Sequence, residues 1–177
     1  MNVQTQAARV GTRQDRFYGK YRGSVTNNVD PEGRARLQVE VPEVRGPGVI
    51  DWALPCSPYA GDGVGFFALP PVGAAIWVEY EGGNLQYPIW SGCFWQRGEI
   101  AAADALPQVM FIKTDQASIR IDNTTGEIKI EIGGASVTLT ASEVKIDAPQ
   151  VINSAGGART QLSAGGFDAL QGALKVV

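Results

Sequence analysis

The residues that could do chemistry in this chain are few, and their spacing specifies no catalytic arrangement. The 177 residues include no His, which excludes Ser-His-Asp triads, Cys-His pairs and metal sites that need imidazole. Glu79 and Glu81 point to the same face of a predicted strand and could form a carboxylate pair for acid–base work. We interpret them as part of a solvated strand face. Four other acidic residues show no spacing typical of acid–base catalysis either: Asp30, Glu32, Asp51 and Asp62.

The glycine-rich run and the two cysteines point to structural roles. The run from Gly61 to Gly65 lacks the Lys-Ser/Thr of a phosphate-binding loop and is predicted to be a plain loop. Two cysteines, Cys56 and Cys93, do not make a disulfide framework. We predict buried, reduced thiols, with a single bridge left open as the alternative. The sequence therefore predicts no enzyme, no catalytic residue, no metal and no cofactor.

Charge and aromatic placement argue against nucleic-acid binding. The chain has 15 Lys and Arg against 18 Asp and Glu, and such an acidic balance is not suited to neutralising phosphates. No Lys or Arg lies between Gly46 and Gln96, so the aromatic residues of that stretch lack basic neighbours in the sequence. We predict that they pack in the core and at subunit interfaces. They are Phe66, Phe67, Trp77, Tyr80, Tyr87, Trp90, Phe94 and Trp95.

One basic cluster lies near the N-terminus, where the only acidic residue is Asp15. It fits either a solvated arm or a surface that contacts acidic neighbours in a larger assembly. The basic residues of this predicted contact are Arg9, Arg13, Arg16, Lys20 and Arg22.

Five short strands are predicted in the first half of the chain. Leu37, Val39 and Val41 alternate with polar residues, which is the period of a half-buried strand. Similar runs, separated by corners rich in Gly and Pro, recur from Gly23 to Cys93. Five short strands with such corners predict a small closed β-barrel.

A different pattern follows residues 96–108, which we predict to be a linker with at most one helical turn. From Ile119 onward, short runs of β-branched residues recur every seven to nine residues. This period is too short for a repeat that contains a helix and suits stacked strands and turns. One chain would leave the apolar stripes and strand edges uncovered, so we predict an obligate oligomer, with a three-sided prism as the simplest closed form. The predicted trimer core comprises Ile119, Ile121, Ile128, Ile130, Ile132, Val137, Leu139, Val144, Ile146 and Val151.

The last segment, residues 154–177, is rich in Gly and then apolar. Its apolar residues are spaced by three, four and three positions, which predicts a short amphipathic helix. This helix could be a terminal plug or a docking surface for a tip protein or cargo. The residues of this predicted tip contact are Phe167, Leu170, Leu174 and Val177.

Seven motifs between Phe17 and Trp95 form a specific pattern: Phe17–Gly23, Asp30–Gly33, Arg36–Pro42, Trp52–Gly61, Pro70–Gly73, Val78–Gly82 and Pro88–Cys93. Together they resemble the baseplate assembly protein V family, the central spike of contractile-tail phages. They are also similar to the corresponding part of VgrG proteins in type VI secretion. The resemblance implies an all-β protein with an oligonucleotide/oligosaccharide-binding (OB) barrel of five strands, a homotrimer and a C-terminal intertwined triple-stranded β-helix needle.

Two departures from relatives limit what the resemblance implies. The linker is too short for the lysozyme domain of some spikes, and a chain without His cannot form the His-x-His iron site at the tip of others. A PAAR-like protein or the chain's own tail would then close the tip. We expect residues 1–16 to be an arm, 17–95 the barrel, 96–108 the linker, 109–153 the needle and 154–177 the tip.

The resemblance implies a structural protein of a phage tail baseplate or a phage-derived injection particle. It would dock on the tail hub and pierce the target cell envelope on sheath contraction, after assembly in the cytoplasm without a signal peptide or transmembrane segment. The alternative is an OB-fold binding module for nucleic acid or glycan.

Overall fold

The structure, a computed structural model, describes residues 16–169 and 174–176, and the chain divides into two compact units between Glu99 and Ile100. In the first unit, a 3-10 turn at Glu81–Gly83 separates the last two strands. The strands and the helix of this unit are β1 (Tyr21–Asn27), β2 (Leu37–Glu40), α1 (Pro42–Arg45), β3 (Ile50–Pro55), β4 (Ala60–Gly61), β5 (Val64–Gly65), β6 (Ala75–Tyr80) and β7 (Pro88–Cys93).

Five of these strands close into a barrel, in the order β1-β2-β3-β7-β6. Neighbouring strands are antiparallel except for β3 and β7, which pair in parallel at Leu54 and Ile89. Closure comes from β1 and β6, which pair from Tyr21 opposite Val78 to Ser24 opposite Ala75. The all-β class and the five-stranded barrel predicted from the sequence are confirmed.

The barrel core is built from the alternating positions of its strands. Leu37, Val39 and Val41 are almost completely buried, so the predicted period of two is confirmed there. Ile76 and Val78 of β6 face them from across the barrel interior. Because closed strands turn one face inward, these side chains leave water without help from another chain.

The turn between β1 and β2 is organised by Asp30. Its carboxylate accepts hydrogen bonds from the backbone N–H groups of Glu32, Arg34 and Arg36, and from the Arg36 guanidinium at 2.7 Å. The bond from Arg36 is the main reason that the pKa of Asp30 lies well below its usual range. Trp52 covers the guanidinium of Arg36, so the turn is fixed by one carboxylate and one stacked cation.

Two local predictions for this unit are wrong. The run Gly61–Gly65 is a small hairpin formed by β4 and β5, because the glycines permit a tight reversal at Gly63, whose φ is 68°. Cys56 and Cys93 are exposed free thiols because they lie at the ends of β3 and β7, where the barrel no longer covers them. Partial burial still raises the pKa of the Cys93 thiol.

The second unit begins with turns. Residues 100–108 contain no strand or helix beyond one helical turn closed by the bond from the Ala105 N–H to the Ala101 carbonyl. Two antiparallel sheets follow, each pairing strands in chain order. The first contains β8 (Val109–Lys113), β9 (Ala117–Asp122), β10 (Glu127–Ile132), β11 (Ala135–Leu139) and β12 (Val144–Asp147). The second contains β13 (Gln150–Ala155), β14 (Ala158–Ser163), β15 (Gly166–Ala169) and β16 (Leu174–Val176).

The helix predicted near the C-terminus is wrong where the structure describes that segment. Phe167 lies in β15 and pairs with Leu162 of β14, while Leu174 lies in β16 opposite Ala169. Leu170 and Val177 lie outside the described residues. Pairing with β14 overrides the three-and-four spacing, because it places the Phe167 ring beside an apolar side chain of the neighbouring strand.

Candidate assembly surfaces

The five-stranded sheet of the second unit has one apolar face. The register places Ile130 beside Ile119 on one side and Val137 on the other, and every residue directly paired with these points to the same face. We call this surface the apolar face. It comprises Met110, Ile112, Ala117, Ile119, Ile121, Ile128, Ile130, Ile132, Ala135, Val137, Leu139, Val144 and Ile146.

Nothing in the described part of the chain covers this face well. Even its central members Ile119, Ile128 and Ile130 are 41%, 40% and 43% exposed. Single exposed apolar residues are ordinary on protein surfaces, but a contiguous apolar sheet face is typical of an interaction site. Nine of the ten residues predicted for the trimer core lie on it, and the tenth, Val151, lies in the next sheet.

The opposite face of the same sheet is mostly polar and carries ion pairs. Lys129 contacts Glu131 at 2.6 Å, Arg120 contacts Asp122 at 2.9 Å and Lys145 contacts Asp147 at 3.1 Å. The hydrogen bond to Glu131 is the main reason that the pKa of Lys129 is raised. Charged side chains of this kind are stable in water, so the two faces of the sheet suit two different environments.

The four-stranded sheet repeats this arrangement with one interruption. Val151, Leu162 and Phe167 lie side by side across β13, β14 and β15. Two positions further along β13, Asn153 lies opposite Thr160, and its amide donates a hydrogen bond to the Thr160 hydroxyl at 3.4 Å. This polar pair therefore stands on the same face as the apolar row.

The basic cluster of the N-terminal region is tied to the barrel where the structure describes it. Arg16 donates to the carbonyl of Gly82. Lys20 forms a short ion pair with Glu79 and donates to the Ser91 hydroxyl, and this contact is the main reason that the pKa of Glu79 is lowered. Arg9 and Arg13 lie outside the described residues.

The aromatic residues divide into two groups. Tyr80 is buried and Trp90 packs against the core, as predicted. In contrast, Phe66, Phe67, Tyr87 and Trp95 are exposed, because they lie in the loops and turns between strands rather than inside the barrel. For these four, core packing is wrong and interface packing stays a prediction.

Two of the aromatic residues have a basic neighbour in the fold, although no Lys or Arg lies between Gly46 and Gln96 in the sequence. Arg22 of β1 lies directly opposite Trp77 of β6. Its Cζ atom is 4.9 Å from the centre of the Trp77 ring and 4.6 Å from that of Phe94. No local sequence pattern predicts this contact, because Arg22 meets these rings only when β1 pairs with β6 to close the barrel.

Contrary to the sequence prediction, the structure does not place Glu79 and Glu81 on one strand. Glu79 is paired with Lys20, and Glu81 belongs to the 3-10 turn rather than to the strand. No group of three or more Cys, Asp or Glu side chains in the described ranges could hold a metal ion.

The barrel spans almost the same residues as a match to a known protein family. Residues 21–95 match the family model of the Type VI secretion system/phage-baseplate injector OB domain. The resemblance that the sequence motifs indicate is therefore confirmed for residues 21–95. The match begins at Tyr21, the first residue of β1, and ends at Trp95, two residues beyond β7.

The injector OB domain of this family has a structural role in the baseplate. No curated protein matches the chain. Within residues 16–169 and 174–176, no helix has the length and apolar character needed to cross a membrane.

Proposed function

We propose that this protein is the homotrimeric central spike of a contractile injection device, a phage tail or a phage-derived particle. The observation that carries the proposal is the apolar face, which is continuous over five strands and exposed in one chain. Three copies that turn this face toward a common axis would form a closed prism with a dry interior. The ion pairs of Lys129 and Lys145 would remain on the outside.

The strand edges support the same arrangement. Strands β8 and β12 end the five-stranded sheet, and β13 and β16 end the four-stranded sheet. Free edges of this kind present unpaired N–H and C=O groups. In the proposed spike, edges of neighbouring chains pair with one another, so that the chains wrap around the axis as an intertwined triple-stranded β-helix.

The parts of the chain would then have different mechanical roles. The injector OB domain docks on the tail hub, and the basic residues near the N-terminus, Arg9 to Arg22, contact acidic hub surfaces. The prism transmits the force of sheath contraction to the target envelope. The apolar residues of the last segment, Phe167 and Leu174 with Leu170 and Val177, contact a PAAR-like tip protein or cargo. The particle is assembled in the cytoplasm.

The mass of the particle in solution tests the proposal. We expect about three chains per particle, and we expect Ile130→Asp to abolish the trimer, because three carboxylates would be buried near one axis without partners. The control is Thr138→Asp, which introduces the same group on the opposite face, directly across from Lys129. Mass photometry or sedimentation gives the mass of each variant.

Two results would contradict the spike. One is a stable single chain at micromolar concentration, and the other is an Ile130→Asp variant that assembles as well as Thr138→Asp. Either result would show that the apolar face is not the trimer core.

A further inference from the structure

A groove on the outer wall of the barrel has the composition of a ligand site. It lies where β1, β6 and the residues after β7 meet, and its volume is about 630 Å³, within the range of ordinary ligand pockets. Its lining includes Arg22, Trp77, Phe94, Trp95 and Arg97. None of the lining residues is acidic.

The Arg22 guanidinium is held in place without being neutralised. The rings of Trp77 and Phe94 are 4.7 Å apart at an angle of 41°, and Arg22 stacks against both of them. None of the ion pairs among the described residues involves Arg22 or Arg97. Contact with both rings restrains the guanidinium. Its N–H groups, which no ion pair of the described residues uses, can then bind a carboxylate or phosphate with two hydrogen bonds.

Arg22 differs from the other arginines of the barrel because it forms no ion pair within the described part of the chain. Residues 21–95 contain four arginines, and the other three are paired: Arg34 with Glu32, Arg36 with Asp30 and Arg45 with Asp51. The nearest acidic side chain on the same face of β6 is Glu79, which Lys20 already neutralises. Glu99, which is not a lining residue, accepts the N–H of the lining residue Gln96 with its carboxylate.

We propose that this groove binds a short acidic segment of a partner polypeptide. Arg22 and Arg97 pair with two carboxylates of that segment, and the exposed ring of Trp95, which is 66% accessible, packs against an apolar side chain between them. The inference deepens the hub contact of the proposed function by naming the groove and the chemistry of its ligand.

Charge complementarity favours a peptide over nucleic acid. Residues 21–95 carry eight acidic side chains against four basic ones. A nucleic-acid strand extends well beyond the groove and would meet this negative surface with a phosphate at every nucleotide. A short acidic peptide needs only the two arginines of the groove.

Binding to a defined probe tests the inference on the full chain. The probe is a fluorescein-labelled peptide with two Glu residues flanking a Phe between Gly-Ser ends, followed by fluorescence anisotropy. We expect saturable binding that weakens at least about tenfold when both Glu residues are replaced by Gln, and at least about tenfold in Arg22→Ala, because charge-assisted bidentate bonds are lost. Arg97→Ala should weaken binding less, since no ring fixes its guanidinium in the described structure.

Two further variants distinguish the contribution of the planar Arg22 guanidinium from that of its positive charge. Arg34→Ala removes the same charge outside the groove and should leave peptide binding unchanged. Arg22→Lys keeps the charge but loses the planar fork, so its affinity should lie between those of the wild type and Arg22→Ala. The thermal unfolding midpoint of each variant shows that the barrel remains folded.

Three outcomes would overturn the inference: absence of binding to the acidic peptide, equal affinities of Arg22→Ala and Arg34→Ala, or tighter binding of a labelled oligothymidylate than of the peptide. The particle mass of the same samples keeps the two proposals separate. A trimer that does not bind the peptide contradicts only the proposal for the groove. A single chain that binds the peptide contradicts only the proposal of a trimeric spike.

Discussion

The barrel and the two C-terminal sheets share the same alternation of apolar and polar residues. They differ in whether the apolar face is covered within the chain. In the barrel, β1 pairs with β6 and closes the sheet, so Leu37 and its neighbours are buried within one chain. In the second unit, strands pair only in chain order, so Ile130 and its neighbours stay exposed. Closure of the sheet, rather than the residue pattern, decides whether an apolar face is covered within one chain.

The largest single-residue effect on stability is expected in the barrel. Leu37 is fully buried, and Leu37→Ala should lower the free energy of unfolding by about 2–5 kcal/mol through lost burial and a residual cavity. Chemical denaturation followed by tryptophan fluorescence measures this loss. Val29→Ala, at an exposed position, is the control and should change little.

Leu37→Ala also separates the stability of the barrel from the assembly of the particle. If the apolar face assembles the particle, Leu37→Ala should keep the trimer mass although its barrel is weakened. Conversely, Ile130→Asp should lose the trimer while its barrel still unfolds cooperatively. A Leu37→Ala variant that dissociates would mean that the barrel, and not the apolar face, holds the chains together.

An intermediate effect is expected at the turn before β2, and it depends on pH. The pKa of Asp30 lies below its ordinary value of 3.8, chiefly through the hydrogen bond from Arg36. As the pH falls, the unfolded chain therefore takes up the proton before the folded chain does. The stabilisation from Asp30 is complete above pH 3.8 and is lost as the pH falls toward the lower pKa of the folded state.

The variant Asp30→Asn tests this dependence. It should be less stable than the wild type at pH 7, and the difference should shrink below the ordinary pKa of Asp, as urea midpoints at pH 7 and pH 3 would record. Asp62→Asn, in the exposed hairpin, is the matched control. If Asp30→Asn and the wild type lost equal stability between the two pH values, the assignment to Asp30 would be wrong.

How far the sequence predicted the fold depends on how local the determining contacts are. The strand Leu37–Glu40 is found where the alternation of neighbouring residues predicts it. The turn at Asp30 is likewise built by contacts among residues close in the sequence. The apolar stripe around Ile130 was also visible as a repeat. These features need no knowledge of distant pairing.

Features that depend on distant pairing were missed. The stack of Arg22 on Trp77 exists only because β1 meets β6, and the sequence separates these residues widely. The spacing of Phe167 to later apolar residues predicts a helix, but its neighbour in the structure is Leu162 of β14. The exposure of Cys93 likewise depends on where β7 ends relative to the barrel.

The smallest effect is expected on the polar face of the five-stranded sheet, at Lys145. This side chain and its partner Asp147 are both largely exposed, and exposed ion pairs contribute little because water already solvates both charges. Lys145→Ala should change the free energy of unfolding by less than about 0.5 kcal/mol and should leave the particle mass unchanged. Its neighbour Val144 lies on the apolar face, so Val144→Ala is the informative contrast and should weaken assembly. If Lys145→Ala dissociated the particle while Val144→Ala did not, the two faces would have to exchange roles, with the charged face turned toward the neighbouring chain.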